Sequence, residues 1–317
     1  MTPDQINKKI MQLLDKGDSD FKLLLKNYEK NLLRSHKAAL KEILSKIAAT
    51  FQKYGDDVVY ADLVVFNRLK NLEKSIIEEI KNVTKQNITT IKGGLKEFYS
   101  ESFYRTGYAL ETGLGINLEY GRLNTLAITS SLFNPLDRIK WSERMKDNAQ
   151  VYVKQIRTEL TRGLIQGEGY AKIANTIKEK TEINAAKVLR IVRTEGHRVQ
   201  NTARVASFSK GEAAAKRLGI ESSRVWIHSG NPREPREDHI AMNGVEAYEN
   251  EIGILLFTLP DGTTTEGPGL TGKAEHDINC GCTTGLRFKN LNAVTFEEYA
   301  SKNYSSFEDW KDDKIKD

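Results

Sequence analysis

The chain has 317 residues, enough for two domains, and 29% of them are charged against 39% hydrophobic. This balance suits long, exposed helices better than one thick core. The net charge of +5 permits contact with nucleic acid but is too small to indicate a dedicated DNA-binding protein. No apolar run approaches the ~20 residues of a membrane helix, and the polar start is unlike a secretory signal. We therefore expect no membrane partner.

The first half of the chain has helical periodicity. Apolar residues recur every three or four positions from Phe21 to Tyr54 and again from Leu63 to Ile91, which predicts two antiparallel helices. Gly55 and the Gly93-Gly94 pair are the predicted breaks. The next stretch is rich in aromatic residues, namely Phe98, Tyr99, Phe103, Tyr104, Tyr108 and Tyr120. Their helical spacing favours a core between helices over a surface that stacks on bases.

Asn134-Pro135 predicts a domain boundary, because the residue before proline avoids helical geometry. We predict a helical scaffold or docking region over residues 1–135, a second domain over 136–290 and an acidic, aromatic tail over 291–317. The tail contains four lysines and seven acidic residues, a net charge of −3. It either packs back on its own chain or folds on a partner.

In the second domain, helices are predicted to about Gln166, from Tyr170 to Thr181, and from Asn184 onward. The last helix carries Glu195 in the middle of its apolar stripe, with His197 on the opposite side. A glutamate and a histidine on opposite faces cannot share a proton, so this is no catalytic pair. We instead expect a buried Glu195 held by an arginine, either Arg198, the local candidate, or an arginine from the later domain.

The region after this helix has a mixed pattern. Residues 224–228, 254–259 and 283–288 have strand character, and Asp238-His239 begins a short helix or turn that extends to the turn dipeptide Asn243-Gly244. The predicted fold class is therefore mostly α with a small α+β C-terminal domain. A long helical N-terminal scaffold is followed by helices packed on a short antiparallel sheet.

Histidines and both cysteines lie in the same region. His276, Cys280 and Cys282, together with His239 or His228, can form a tetrahedral zinc site. A metal would help to hold together a domain with few strands. The alternative is a pair of reduced thiols in a turn, and the close cysteine spacing favours a reducing compartment over a disulfide.

Taken together, these motifs resemble the phage head morphogenesis family of minor head proteins. The resemblance covers about residues 140–289. It rests on the following residues, in this order along the chain: Arg193, Thr194, Glu195, Arg198, Trp226, Ile227, Asp238, His239, Asn243, Gly244, Ile278, Asn279, Cys280, Gly281 and Cys282. The family commonly has Cys-Arg-Cys as its last element, so Gly281 is a departure.

The resemblance implies a virion protein of few copies that is bound to the portal inside the head. It also implies roles in head assembly, DNA packaging or DNA ejection, after assembly in the host cytoplasm. The implied partners are the portal protein, other capsid or scaffolding proteins and double-stranded DNA. The family residues would have structural roles, no catalytic residue is expected, and structural zinc is the only cofactor considered.

Two other functions stay open at this point. Asp238, His239 and His276 resemble the metal and water-activating residues of a metal-dependent nuclease. Non-specific DNA binding is the other, since residues 1–290 carry a net charge of +8 once the acidic tail is set aside. DNA binding is compatible with a head protein, whereas the nuclease hypothesis is an alternative to it.

Overall fold

The computed structural model describes residues 2–55, 58, 60–64, 67–132, 136–230, 236–291 and 299–316. Long helices account for most of these residues, and short antiparallel strands appear only in the C-terminal part. The predicted fold class is therefore confirmed. The loop at 231–235, the Asn134-Pro135 boundary and the tail residue Phe296 lie outside the described residues.

The elements follow one another along the chain as a series of helices and then a mixed region. The helices are α1 (Pro3–Tyr54), α2 (Tyr60–Val64), α3 (Arg68–Leu114), α4 (Thr125–Ser131), α5 (Trp141–Ile165), α6 (Tyr170–Arg217), α7 (Glu237–Ala241), α8 (Ala274–Asp277) and α9 (Phe307–Ile315). The strands are β1 (Glu221–Ile227), β2 (Tyr248–Glu249), β3 (Leu255–Thr258), β4 (Thr264–Thr265) and β5 (Thr283–Lys289).

Two of the predicted helix breaks are wrong. Helix α3 continues through Gly93-Gly94, and α6 continues through Thr181 and Asn184. Each glycine inside a helix costs about 1 kcal/mol, which burial of neighbouring side chains easily outweighs. The Asn184 amide donates to the Asn148 carbonyl (3.4 Å) instead of capping a new helix. Tertiary contacts therefore override the local signals for a break.

The contacts divide the chain into two compact units, each assembled from separate segments. Unit 1 comprises residues 1–25, 94–138 and 193–317, and unit 2 comprises residues 26–93 and 139–192. Helices α1, α3 and α6 each contribute residues to both units. The domain boundaries predicted at residues 135 and 290 do not coincide with the borders of these units, and the predicted domains stay a prediction.

Unit 2 has an aliphatic core. Its fully buried members include the following residues: Ile43, Ile47, Leu63, Ile76, Ile80, Ile156, Leu160, Leu164, Ile173 and Ile177. Polar contacts also lie among the buried groups: the Asn87 amide nitrogen is 3.1 Å from Nε2 of His36, and the hydroxyl groups of Tyr152 and Thr181 are hydrogen-bonded. The helical stripes predicted for this part of the chain are therefore the faces that unit 2 buries.

Unit 1 contains the strands. Strand β1 pairs antiparallel with β5 from Glu221 opposite Lys289 to Ile227 opposite Thr283, and β2, β3 and β4 form a second small sheet. Phe98, Tyr99, Phe103, Tyr104 and Tyr120 are buried, as expected for a core between helices.

The tail packs back on unit 1. Trp310 in α9 is completely buried, and its indole nitrogen donates to Oε2 of Glu111 (2.6 Å). The Lys314 ammonium donates to Oε1 of the same glutamate (3.1 Å). Of the two behaviours predicted for the tail, the structure therefore shows packing on its own chain.

Candidate structural and metal-binding centre

The run Arg193–Arg198 on α6 contains a buried ion pair. Glu195 is completely buried, and Arg198 is 3% exposed. The Arg198 guanidinium donates from Nε (2.9 Å) and from Nη2 (2.7 Å) to Oε2 of Glu195. Thr194 is also buried, whereas Arg193 is exposed. Since a buried charge without its partner costs several kcal/mol, the pair fixes how this face of α6 packs.

His197 has a separate environment from Glu195. Its ring packs edge-on against Phe21, with 5.8 Å between ring centroids. Burial is the main reason that the pKa of His197 is lowered, although Asp18 acts in the opposite direction. The structure thus agrees with the expectation that Glu195 and His197 do not act on one proton.

Two further buried arginines were not found from the sequence. Arg204 donates to the carboxylate of Asp18, which also accepts from the Gln200 amide (2.7 Å). Arg224 makes two hydrogen bonds to the carboxylate of Glu212, at 3.0 and 2.6 Å. Asp18 lies 186 residues before Arg204, and no local pattern links residues so far apart.

The turn after α7 connects that helix to β1. Oδ1 of Asn243 accepts from the His228 backbone N–H (3.0 Å), and the Gly244 N–H donates to the Trp226 carbonyl (2.9 Å). Gly244 has φ = +84°, a left-handed conformation in which a side chain would be strained. Asn243 therefore supplies a side-chain acceptor for this turn, and Gly244 supplies its left-handed backbone conformation.

His239 and the two cysteines form one compact group. Nδ1 of His239 lies 3.7 Å from Sγ of Cys280 and 3.7 Å from Sγ of Cys282. All three side chains are buried, at 5% exposure or less. The hydrogen bond from Cys280, followed by that from His239, lowers the pKa of Cys282 against the effect of burial. The same sulfur–sulfur contact, together with burial, raises the pKa of Cys280.

His276 lies beside this group but belongs to a different set of contacts. Its Nδ1 is 3.2 Å from Oδ2 of Asp238, and its Nε2 is 3.1 Å from Oδ2 of Asp261. Its ring stacks on that of His239 with centroids 5.9 Å apart. The four residues of the expected set, His239, His276, Cys280 and Cys282, thus fall into two neighbouring groups that share His239, and the metal set stays a prediction. Among the described residues, the atoms able to share an ion with the thiols come from His239.

The carboxylates around His276 also organise the preceding loop. Asp277 is buried and accepts hydrogen bonds from the Thr271 backbone N–H (3.2 Å), the Thr271 hydroxyl (2.7 Å) and the Gly272 N–H (2.8 Å). Burial raises the pKa of Asp277, and these donors oppose that shift. Hydrogen bonds from Thr263 are the main cause of the lowered pKa of Asp261.

The centre is closed. His239 is 3% exposed and His276 is 5% exposed, so a phosphodiester cannot approach either ring in this conformation. The three proposed nuclease residues do come together, because Asp238, His239 and His276 offer atoms within 4.8 Å of one another. Their proximity is thus compatible with a metal, but their burial argues against a substrate.

These features define a class of helical protein in which a small α+β region is held by buried charged and sulfur-bearing side chains. Within the described residues, none of the helices is long and apolar enough to cross a membrane. A family model described as "Phage Mu protein F like protein" matches residues 154–285, which contain the α6 ion pair, β1, α7 and the thiols.

The chain is 27% identical over 256 residues to the minor head protein GP7 of Bacillus phage SPP1, and the match covers 80% of each protein. Both findings confirm the resemblance seen in the sequence: residues 154–285 are similar to the family of phage Mu protein F, and most of the chain is similar to a phage minor head protein. No solved structure matches it.

A second relative has a different name. The chain is 27% identical over 309 residues to the NAD(+)–arginine ADP-ribosyltransferase EFV of Enterococcus faecalis. That match covers 92% of this chain but 61% of the enzyme. The chain therefore spans less than two thirds of that relative.

Proposed function

We propose that this protein is a minor component of a phage head that binds the portal and acts in head assembly, DNA packaging or DNA ejection. The observation that carries the proposal is the match to a minor head protein along 80% of both chains. The closed centre supports it, because buried Glu195, His239 and the thiols suit a role in architecture. The virion, inside the head and near the portal, is the corresponding location.

The relative named as an ADP-ribosyltransferase bears on whether the protein is an enzyme. The segment it shares with this chain is also largely shared with a head protein, so the shared segment alone does not specify an enzymatic activity. We therefore infer that the activity in that name depends on the 39% of the enzyme without a counterpart here. Incubation with labelled NAD⁺ and an arginine-rich acceptor should give no transfer, and transfer would contradict this inference.

Portal binding is tested by co-expressing the untagged chain with an affinity-tagged portal protein from the same gene neighbourhood. We expect the chain to co-elute with the portal ring on size exclusion, in fewer copies than portal subunits. Glu195→Ala should weaken co-elution through loss of folded protein, whereas His228→Gln, at a partly exposed ring outside the buried group, should leave it unchanged. Absence of co-elution at both low and moderate salt would contradict portal binding.

Double-stranded DNA is a second proposed partner. With the acidic tail set aside, the remaining chain carries a net charge of +8, and such binding would depend on phosphate contacts. Affinity should then fall steeply between about 50 and 200 mM salt, as contacts with phosphates release counterions. Binding that is absent, or that does not respond to salt, would remove DNA from the set of partners.

The nuclease alternative has its own test. Supercoiled plasmid is incubated with the protein and magnesium, manganese or zinc ions. We expect no cleavage, since the rings of His239 and His276 are buried. Cleavage that His239→Ala abolishes would instead establish the nuclease alternative.

A further inference from the structure

We propose that Nδ1 of His239 and Sγ of Cys280 and Cys282 bind one Zn²⁺ ion, which holds α7 against the start of β5, and that His276 is not a ligand. The proposal concerns the architecture of this region, so it stands whether or not the chain binds a portal.

The spacing of the three atoms fits a tetrahedral ion. Zinc lies about 2.3 Å from a cysteine sulfur and about 2.0–2.1 Å from a histidine nitrogen, so a tetrahedral S–Zn–N unit has a sulfur–nitrogen edge of roughly 3.6 Å. The observed distances from Nδ1 of His239 to the sulfur atoms of Cys280 and Cys282 are both 3.7 Å. These two distances therefore fit a zinc ion shared by the three side chains.

The chemistry of the donors selects zinc among common metal ions. Two thiolates and an imidazole are soft or borderline ligands, which magnesium and calcium avoid. Without an ion, the imidazole is buried with two sulfur atoms as the neighbours of Nδ1. A thiol is a weak hydrogen-bond partner, so coordination compensates the buried ring better than these contacts do.

The local backbone explains why the two sulfurs act together. Residues two apart in an extended segment point to the same side, and Cys280 and Cys282 flank Gly281 just before β5. A Cβ at position 281 would lie 3.2 Å from both Cβ and Oγ of Ser229, so this position favours glycine. Both thiols can thus turn to His239 while the backbone passes close to Ser229.

The connection that the ion makes would stabilise the region. His239 precedes the cysteines by 41 and 43 residues, so the ion closes a long loop of the unfolded chain. The sheet of β2, β3 and β4 within that loop has strands as short as two residues, which make too few contacts for independent stability. The neighbouring core of Trp226, Met242, Phe257 and Leu259 also contains both cysteines. Among the described residues the group has three ligands, and a tetrahedral ion would take one further donor.

The experiment measures zinc in the full chain purified without a histidine tag and without chelator. We expect about one zinc per chain in the wild type and at least a tenfold loss in Cys280→Ser, Cys282→Ser and His239→Ala. His276→Gln is the matched control, since that ring stacks on His239 yet lies outside the group, and it should keep its zinc. Less than one tenth of an equivalent in zinc-loaded wild type overturns the proposal. The proposal is also overturned if His276→Gln loses its zinc while Cys280→Ser keeps it, because the ion would then lie among the carboxylates.

A measurement on the wild type alone covers the case in which the variants fail to fold. Replacement of zinc by Co²⁺ should give the near-ultraviolet charge-transfer band of cobalt bound to thiolates, with the strong visible bands of a tetrahedral site. Chelation of the metal should also lower the melting temperature and expose two reactive thiols. A cobalt spectrum without a thiolate band excludes the cysteines as ligands and overturns the proposal.

Discussion

The two compact units bury different kinds of side chain. Unit 2 is closed mainly by aliphatic residues from five helices. Its buried polar groups include His36 with Asn87, Tyr152 with Thr181, and the Glu168 carboxylate, which pairs with the exposed Lys172. Unit 1 buries several charges, including Glu195 with Arg198, Arg224 with Glu212, and Glu111 with Lys314. Burial of area stabilises unit 2 wherever complementary stripes meet, whereas the charges of unit 1 are stable only with their particular partners.

This difference explains where specificity resides. Apolar cores tolerate many residues of similar volume, so helix stripes alone can specify unit 2. A buried carboxylate or guanidinium excludes alternative arrangements, because each leaves an unpaired charge. We expect the family motif to fall in unit 1 for this reason, since a fixed geometry of α6, α7 and β5 needs particular residue types. Variants that each alter one kind of contact can test this difference between the two units.

The largest effect is expected for the α6 ion pair. Glu195→Ala leaves the Arg198 guanidinium buried without its carboxylate and should lower the free energy of unfolding by about 3–5 kcal/mol. Chemical denaturation measures this change. The control replaces both residues by methionine, which removes both charges and should recover part of the loss. An unchanged midpoint in Glu195→Ala would show that the pair does not hold the fold.

A pH-dependent effect is expected in unit 2. Burial lowers the pKa of His36 from 6.5 to about 4. Between these values the unfolded chain binds a proton that the folded chain does not, so stability falls as the pH falls through this window. The loss between pH 8 and pH 5 should be about 2 kcal/mol, and no contribution remains above about pH 7. Urea denaturation of the wild type and of His36→Gln measures it. Equal pH slopes in the two proteins would exclude His36 as the cause.

A smaller effect is expected within the aliphatic core. Ile47→Val removes one methylene from a completely buried side chain and should cost about 0.5–1.5 kcal/mol. Ile183→Val is the matched control in the same unit, because Ile183 is 48% exposed and the same deletion there should cost almost nothing. Thermal denaturation compares the two variants. Equal shifts would mean that Ile47 is not in a packed core.

The smallest effect is expected at an exposed ion pair of unit 1. Arg217 donates to Glu119 at 2.6 Å, and both side chains are at least 60% exposed. Solvent screens such a pair, so Arg217→Ala should change stability by less than about 0.5 kcal/mol. A loss comparable to that of Glu195→Ala would contradict the distinction between buried and exposed charges on which the comparison depends.

The sequence predicted what periodicity and local spacing encode. The helical stripes, the strands at β1, β3 and β5, and the i,i+3 pair of Glu195 with Arg198 are local patterns, and the structure contains them. Helix continuity through Gly93-Gly94 was missed because packing outweighs glycine propensity. The pairing of Arg204 with Asp18 depends on residues at opposite ends of the chain, which no window of sequence brings together.

The metal set shows the same limit. The spacing of Cys280 and Cys282 places two sulfurs on one side, but it does not say which histidine faces them. His239 and His276 are both near, and the fold turns His276 to Asp238 and Asp261 instead. Sequence spacing thus predicted the donor types, and the tertiary fold decides which of them share one position.

The central claim is that the group around His239 is closed and has a structural role. The most direct measurement is the rate at which a small thiol reagent modifies Cys280 and Cys282 in the native, full-length protein, with denatured protein as the reference. If the group is closed, modification should be slower than in the reference by orders of magnitude and should accelerate only with unfolding. Modification of both thiols at a rate close to that of the denatured chain would show an open cleft and contradict the account.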